Sequence, residues 1–480
     1  MNTLQPRHCR HPLALFTLVL VVLTTSASHP SLKANAVAVQ STLDHNLNSL
    51  SLMWRSLKAN AVPMQFTPTP RTTTRITVAS DGSQADFFSH AGDFSADGRY
   101  LVFTSLASNL VSGDTNNKTD VFVHDQLTNS NTRVSVASDG SQANGDSNAT
   151  TISADGRYIG FYSQATNLVS GDTNDTADVF VHDRTTQTTT RVSVTSAGSQ
   201  SNGSSYSYWA TISADGRYVA FGSSATNLVS DDTNNEPDVF LHDRETAITT
   251  RVSVLSDGSQ TDFASSAPSI SGDGRFVAFE TFAANTSSRI LVRDRVAQTT
   301  TQVSMSSSSA NNDSVDASIS ADGRYVAFFS RDNNLVDDDT NAQDDIFVHD
   351  RESHITTRVS VASGGSQSNG NSYSPKISAD GRYIAFVSSA TNLVEDDTND
   401  TADVFVHDQV SQITTRVSVA SDGNQANNQS QSPTISADGR FIAFSSSATN
   451  LVSGDTNNQE DVFVHKRGET TYTYLPLVTR

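Results

Sequence analysis

The chain has 480 residues, of which 36% are hydrophobic and 17% charged, and its formal net charge is −20. Ser, Thr, Asn and Asp make up the difference, a mixture that suits polar-surfaced β structure with many turns and excludes a helical bundle or a membrane-embedded fold. The acidic balance argues against a nucleic-acid partner, because binding phosphate needs a basic surface.

At the N-terminus, Arg7 and Arg10 precede an apolar run from Leu13 to Leu23, and small residues follow from Thr24 to Ser28. This order predicts a secretory signal peptide over residues 1–28, cleaved after Ala27 or Ser28. The run is shorter than the ~20 residues a spanning helix needs, so no membrane span is expected after its removal. The single cysteine, Cys9, falls inside this segment. The mature chain is then free of thiols, disulfides and cysteine metal sites, and packing alone must stabilise it. We expect a bacterial protein that is secreted, periplasmic or on the cell surface.

Residues 29–70 belong to no repeat of the main domain. SLKANAV occurs twice, at Ser31–Val37 and Ser56–Val62, and Leu43, Leu47, Leu50, Trp54 and Leu57 fall on one face of a helix. A short amphipathic helix is expected there, docked on the main domain or binding a partner. Pro63, Pro68 and Pro70 then mark an extended linker.

From residue 71 onward the sequence repeats. The phrase (A/G)DGR(Y/F) recurs with its aspartate at Asp97, Asp155, Asp215, Asp273, Asp322, Asp380 and Asp438. A period of about 58 residues outranks every local signal. In the copy from Ile152 to Val194, four strand signals alternate with turns: Thr150–Ser153 (a), a run from Arg157 (b), Asp178–Asp183 (c) and Thr189–Val194 (d). Asp155-Gly156 makes the a–b turn. Seven copies of four antiparallel strands predict an all-β, seven-bladed β-propeller over residues 71–480, because one blade cannot bury both its faces and a closed ring can. Closure needs a strand from the far end of the chain. Arg75–Ala79 is a strand d with no a, b or c before it and is expected to complete the last blade; TYTYLPLV, near the C-terminus, is its rival.

The motif SADGRYVAF followed by DVFVHD resembles the TolB-like β-propeller repeat, whose core is an SPDG turn, an IAF-type strand and an IYV-D strand. The resemblance extends over residues 71–480, with Ala for the usual Pro. It implies the fold and says little of function. TolB itself carries a further N-terminal α/β domain, which residues 29–70 are too few to build. The sialidase Asp box is set aside, since its Gly comes two residues after the Asp.

In such a propeller the b–c and d–a connections share one face, which here is the longer and more variable. Binding is expected there or at the mouth of the central channel. Three features stand out. The b–c loops of six blades carry Asp114, Asn116 and Asp120; Asp172, Asn174 and Asp178; Asp232, Asn234 and Asp238; Asp339, Asn341 and Asp345; Asp397, Asn399 and Asp403; and Asp455, Asn457 and Asp461. Oxygen ligands at positions 1, 3 and 7 suit Ca²⁺, and the pattern is similar to integrin-type calcium loops, though shorter; equally, Asp and Asn make Asx turns that cap a strand. The fourth blade lacks the loop and has Arg289 instead. Second, aromatic residues break the repeat on this face: Tyr206, Tyr208 and Trp209 in one d–a connection, and Phe87, Phe88 and His90 in another. Exposed aromatics suit sugar stacking or a protein hot spot. Third, His124, His182, His242, His349, His407 and His465 share one position of strand c, which implies a structural, half-exposed role.

No GxSxG, HExxH, P-loop or dinucleotide fingerprint occurs. After Arg467 only 13 residues of this sequence remain, so no appended hydrolase domain is expected. The reading is an exported, non-catalytic propeller that binds a protein or a cell-surface polysaccharide through its loop-rich face. Its alternatives are a propeller enzyme acting on glycans or lactones in the central channel, and a structural cell-surface repeat protein. Unique acidic residues converging on the channel would favour the enzyme.

Overall fold

The computed structural model describes residues 65–68, 71–205, 210–282, 288–304, 313–468 and 470–473. The signal segment, the apolar stripe from Leu43 to Leu57, and Tyr206, Tyr208 and Trp209 lie outside them. Among the described residues there is no helix long and apolar enough to cross a membrane.

Seven four-stranded antiparallel sheets follow one another along the chain. Blade 2 is typical, with a at Ser147–Ile152, b at Tyr158–Ser163, c at Asp178–Asp183 and d at Thr188–Arg191. Blades 1, 4, 5 and 6 begin with Ser89–Phe94, Ala264–Ile270, Ser314–Ile319 and Ser372–Ile377. Blade 7 is Ser430–Ile435, Phe441–Ser446 and Asp461–Lys466, completed by Thr72–Arg75.

Period-2 alternation puts apolar side chains on both faces of each blade, so the core lies between blades. Val179 and Val181 of blade 2 pack with Val219, Phe221 and Phe240 of blade 3. Phe180, between them in sequence, points the other way, joining Phe161, Val102, Val121 and Val123 at the blade 1 seam. Each such Phe is fully buried and contributes roughly 1.5–3 kcal/mol of transfer free energy.

Each residue of the DGR(Y/F) motif has a separate task. Asp155 accepts hydrogen bonds from Ser153 Oγ and the Arg157 N–H, which closes the a–b turn. Gly156 sits at φ 73°. Arg157 forks onto Asp183, the last residue of strand c, through Nε–Oδ1 at 2.9 Å and Nη2–Oδ2 at 2.7 Å. This bidentate geometry holds the Asp183 carboxyl well below the usual range. Tyr158 then packs under the turn glycine of the next blade, where a Cβ on Gly216 would lie 2.1 Å from Tyr158 Cδ2. Arg157 of its own blade and Arg244 of the next stack on the same ring, at 4.7 Å and 4.2 Å.

Two expected strands end early. Strand d stops at Arg191 rather than Val194. Val192 still donates to Val179 O, but Ser193 then turns its hydroxyl inward, accepting the Val179 N–H and donating to Asp178. A side chain replaces the backbone partner, so the alternation of residue types outlasts the ladder although Val192 and Ser193 are both buried. The closing strand is likewise Thr72–Arg75, not Arg75–Ala79, with Thr73 opposite His465 and Arg75 opposite Phe463. Ile76 runs on as a buried cover in the seam between blades 7 and 1. Strand a begins earlier than expected, at Ser147, because a bulge between Asn148 and Thr151 interrupts its pattern.

The described residues of the rival closing segment take no place in the seven four-stranded sheets. Thr470–Thr473 pairs antiparallel with Gln65–Pro68 in a separate two-stranded sheet.

The strand-c histidines are buried, not half-exposed. His182 Nδ1 meets Thr189 Oγ1 of strand d at 3.0 Å, and that hydroxyl donates to Val136 O of the preceding blade. The histidine thus supports an inter-blade hydrogen bond, and burial lowers its pKa.

Gly216→Ala should cost roughly 2–4 kcal/mol, combining a left-handed backbone with a steric clash. Gly140→Ala, at φ 84° but in open space, should cost about 1–2 kcal/mol. Urea unfolding of the two variants checks this; equal losses would show that the Tyr158 contact adds nothing.

Candidate functional site

The b–c loops fold around an arginine. In blade 1 the Arg133 guanidinium lies 2.9 Å from Asp114 and 3.4 Å from Asp120. Asn116 Nδ2 donates to Asp120 Oδ2, and Asn116 Oδ1 accepts the Lys118 N–H in an Asx turn. Ser135 Oγ satisfies the other Asp120 oxygen. Arg191 likewise bridges Asp172 and Asp178, at 3.0 and 3.1 Å. Arg416 bridges Asp397 and Asp403, and Arg75 bridges Asp455 and Asp461. The pairs are longer in blades 3 and 5, where Arg251 reaches Asp232 and Asp238, and Arg358 reaches Asp339 and Asp345.

The guanidinium therefore stands among the carboxylates read above as metal ligands. Burial raises the first aspartate of every loop, with the arginine pulling back. Asp238 is pushed up to about 6 by burial. Among the described residues no group of three or more His, Cys, Asp or Glu could hold a metal ion. Blade 4 completes the argument. Having lost the Asp-Thr-Asn loop, it carries Gln302 where the others carry arginine, and Gln302 Nε2 donates to Ser304 O. The loop and its arginine vanish together. The arginine was the part that sequence reasoning missed, although TTRVSV against TTTQVS displays it.

On the axis the inner strands of all seven blades enclose a cavity of about 550 Å³. Strand a is bulged in blades 1, 2 and 4–7. Ala267, Asp316, Ser374 and Ser432 adopt φ of 48–57° at these bulges. Such bulges re-aim side chains, here toward the axis. The lining is rich in hydroxyl and amide groups, among them Thr104, Asn148, Thr150, Ser269 and Ser318. Its charged members, Asp93, Asp316 and Lys376, each occur once around the ring.

Phe87, Phe88 and His90 come together at the loop-rich end of this cavity. Phe87 and Phe88 have ring centroids 5.4 Å apart, and Phe88 and His90 5.3 Å. Phe87 is 44% exposed, while His90 lines the cavity. Glu460 fixes the imidazole, with Oε1 3.2 Å from His90 Nδ1 and also accepting from Gln431. These residues form a continuous aromatic step from the loop surface into the channel.

Sequence reasoning missed Glu280. It occupies the fifth position of strand b, where the other blades have Thr104, Tyr162, Gly222, Phe329, Val387 and Ser445. It is buried, its carboxylate accepts the backbone N–H of Asp316, and burial pushes its pKa up to about 7. A position-by-position comparison of the repeats picks it out as the single charge in that column.

No family model and no curated protein matches the sequence. Solved structures do match. An oligogalacturonate lyase from Vibrio parahaemolyticus aligns with a TM-score of 0.52 and 11% identity, over 84% of this chain and 97% of that one. A prolyl endopeptidase aligns at 0.50 and 9%, over 81% of this chain but only 51% of its own. TolB from Acinetobacter baumannii is also among the matches, at 0.37 and 14%, over 78% and 81%. The chain is a seven-bladed β-propeller, and it shares that fold with proteins of unlike function.

Arg133→Gln should destabilise by about 3–5 kcal/mol, because it leaves two buried carboxylates without their cation. Adding Asp114→Asn and Asp120→Asn should restore part of the loss. Chemical denaturation of the three forms checks this, and additive losses would overturn the cage. Melting in excess calcium and then in chelator should give the same midpoint. One occupied site would contribute about 2.7 kcal/mol at a hundredfold excess over Kd, so a rise would restore the metal reading.

Proposed function

We propose that the protein is an exported propeller that binds a glycan chain on its loop-rich face, with Phe87, Phe88 and His90 as the step into the axial cavity. One observation carries the reading: an exposed aromatic step meets a cavity walled with hydroxyl and amide groups. Sugar rings present apolar C–H faces that stack on aromatics and hydroxyls that exchange hydrogen bonds with Ser, Thr and Asn. Export is supported by Arg7, Arg10 and the apolar run Leu13–Leu23. The binding role is supported by the recurring loop carboxylates, which are committed to arginine. A second reading, a glycan-acting enzyme, draws on Glu280 and Asp316, whose raised pKa values suit acid–base work.

The double variant Phe87→Ala/Phe88→Ala should keep its melting temperature and lose roughly tenfold or more in glycan affinity. Retention on immobilised polysaccharides measures this. Unchanged retention of the variant would sink the aromatic step, and breakdown of the bound glycan by the native protein would move the reading to the enzyme.

A further inference from the structure

The carboxylates that recur at the two ends of strand c come with their own cation. Asp120 has Arg133, and Asp125 has Arg99, which lowers its pKa to about 2. Glu280 and Asp316 break this rule. Among the described residues neither has a cation within 4.0 Å. Glu280 is 5% exposed and, among the described residues, accepts only a backbone N–H, that of Asp316. Asp316 lines the axial cavity at a left-handed bulge (φ 57°), with Ser374 beside it and Lys376 acting from farther off. Asp93 adds a further carboxylate to the lining.

A buried carboxylate without a counter-charge is costly, and a cation brought by a ligand removes that cost. The surrounding face has the same sign. Its six strand-d arginines are caged, while Asp81, Asp139, Asp231, Asp257 and Asp338 face solvent. The arginines of the DGR turns lie on the opposite face. A polyanionic chain entering the cavity would meet one lysine, Lys376, against two acids, Asp93 and Asp316.

Building on the glycan reading, we infer that the wall formed by Glu280 and Asp316 is a subsite for a protonated amine, so that the cavity selects amine-bearing glycans over uronate chains. Asp316 is the group that meets the ammonium. Glu280 is a positioning residue: it holds the Asp316 backbone at the bulge and adds negative charge behind it. The hydroxyls of Ser374 and Ser318 accept remaining ammonium or sugar protons.

Titration calorimetry on the full chain tests this with three probes: glucosamine oligomers, their N-acetylated counterparts and oligogalacturonate. A charge-assisted hydrogen bond predicts roughly tenfold tighter binding of the free amine than of the acetylated form, with oligogalacturonate weakest. Asp316→Asn, which tolerates the left-handed backbone, should reduce that preference to about twofold or less while leaving N-acetyl oligomer binding in place. Glu280→Gln keeps the acceptor for the Asp316 N–H and should reduce the preference in part. Equal affinity for free and acetylated amines, preference for the uronate, or an unchanged preference in Asp316→Asn would each overturn the subsite. Binding of none of the three probes would instead overturn the glycan reading on which it rests.

Discussion

Six times around the ring a guanidinium is withdrawn from water and set between two aspartates, one from the b–c loop and one from the start of strand c. A buried arginine is tolerable only if its charge is met, and a buried aspartate only on the same terms; here the ion pairs meet the charge, while the Nε of Arg75, Arg133, Arg191, Arg251 and Arg358 has no hydrogen-bond partner among the described residues. The long b–c connection therefore cannot be an arbitrary surface loop. Asp114 and Asn116 must return to the strand edge, where Arg133 and Ser135 wait, and the Asx turn at Asn116 makes the return short. The d–a connection is tied in as well, since Asn116 Nδ2 reaches Ala143 O. In six of the seven blades both connections of the loop-rich face hang from one ion cluster.

Much of this was legible. The period of the DGR phrase gave blade number and strand order, and the c strands begin and end where alternation places them. The misplaced ends share a cause. At Val192–Val194 and Ile76–Ala79 the alternation of apolar and polar residue types continues beyond the ends of the ladders at Arg191 and Arg75, yet Ser193 and Thr77 are as buried as Val192 and Ile76, because their hydroxyls take over as partners. Alternation of residue type says nothing about what the N–H groups bond to. The bulges of strand a were invisible for the complementary reason: an extra residue at Ala149–Thr150 leaves no mark in composition.

The site was legible in part. Phe87, Phe88 and His90 break the repeat, and the fold assembles them into one step. Glu280 and Asp316 lie 36 residues apart on neighbouring blades, and only the ring brings them together. Blade 4 concentrates the exceptions, with Arg289, Arg293 and Gln302 at positions where its neighbours have Asp, His and Arg. In the strand-c histidine position, Arg293 bonds Thr300 Oγ1 and Leu255 O, so it keeps the inter-blade tie by other means. Near-identity among the remaining blades makes such exceptions readable, since symmetry is sufficient for the scaffold and a unique site requires its loss.

The closing blade also departs from the others. Lys466 stands where other blades end strand c with aspartate, and Arg440 turns instead to Asp438 within its own turn. Its outer strand comes from the other end of the chain, with Thr73 and His465 separated by 392 residues in sequence. During synthesis Thr72–Arg75 emerges first and has no partner until Asp461–Lys466 emerges last. Until then the ring has one unfilled strand position and one exposed edge, and closing the largest loop in the molecule is the step that removes both. Completion of the cavity on the axis, which needs all seven inner strands, is therefore tied to the most non-local event in the folding of the chain.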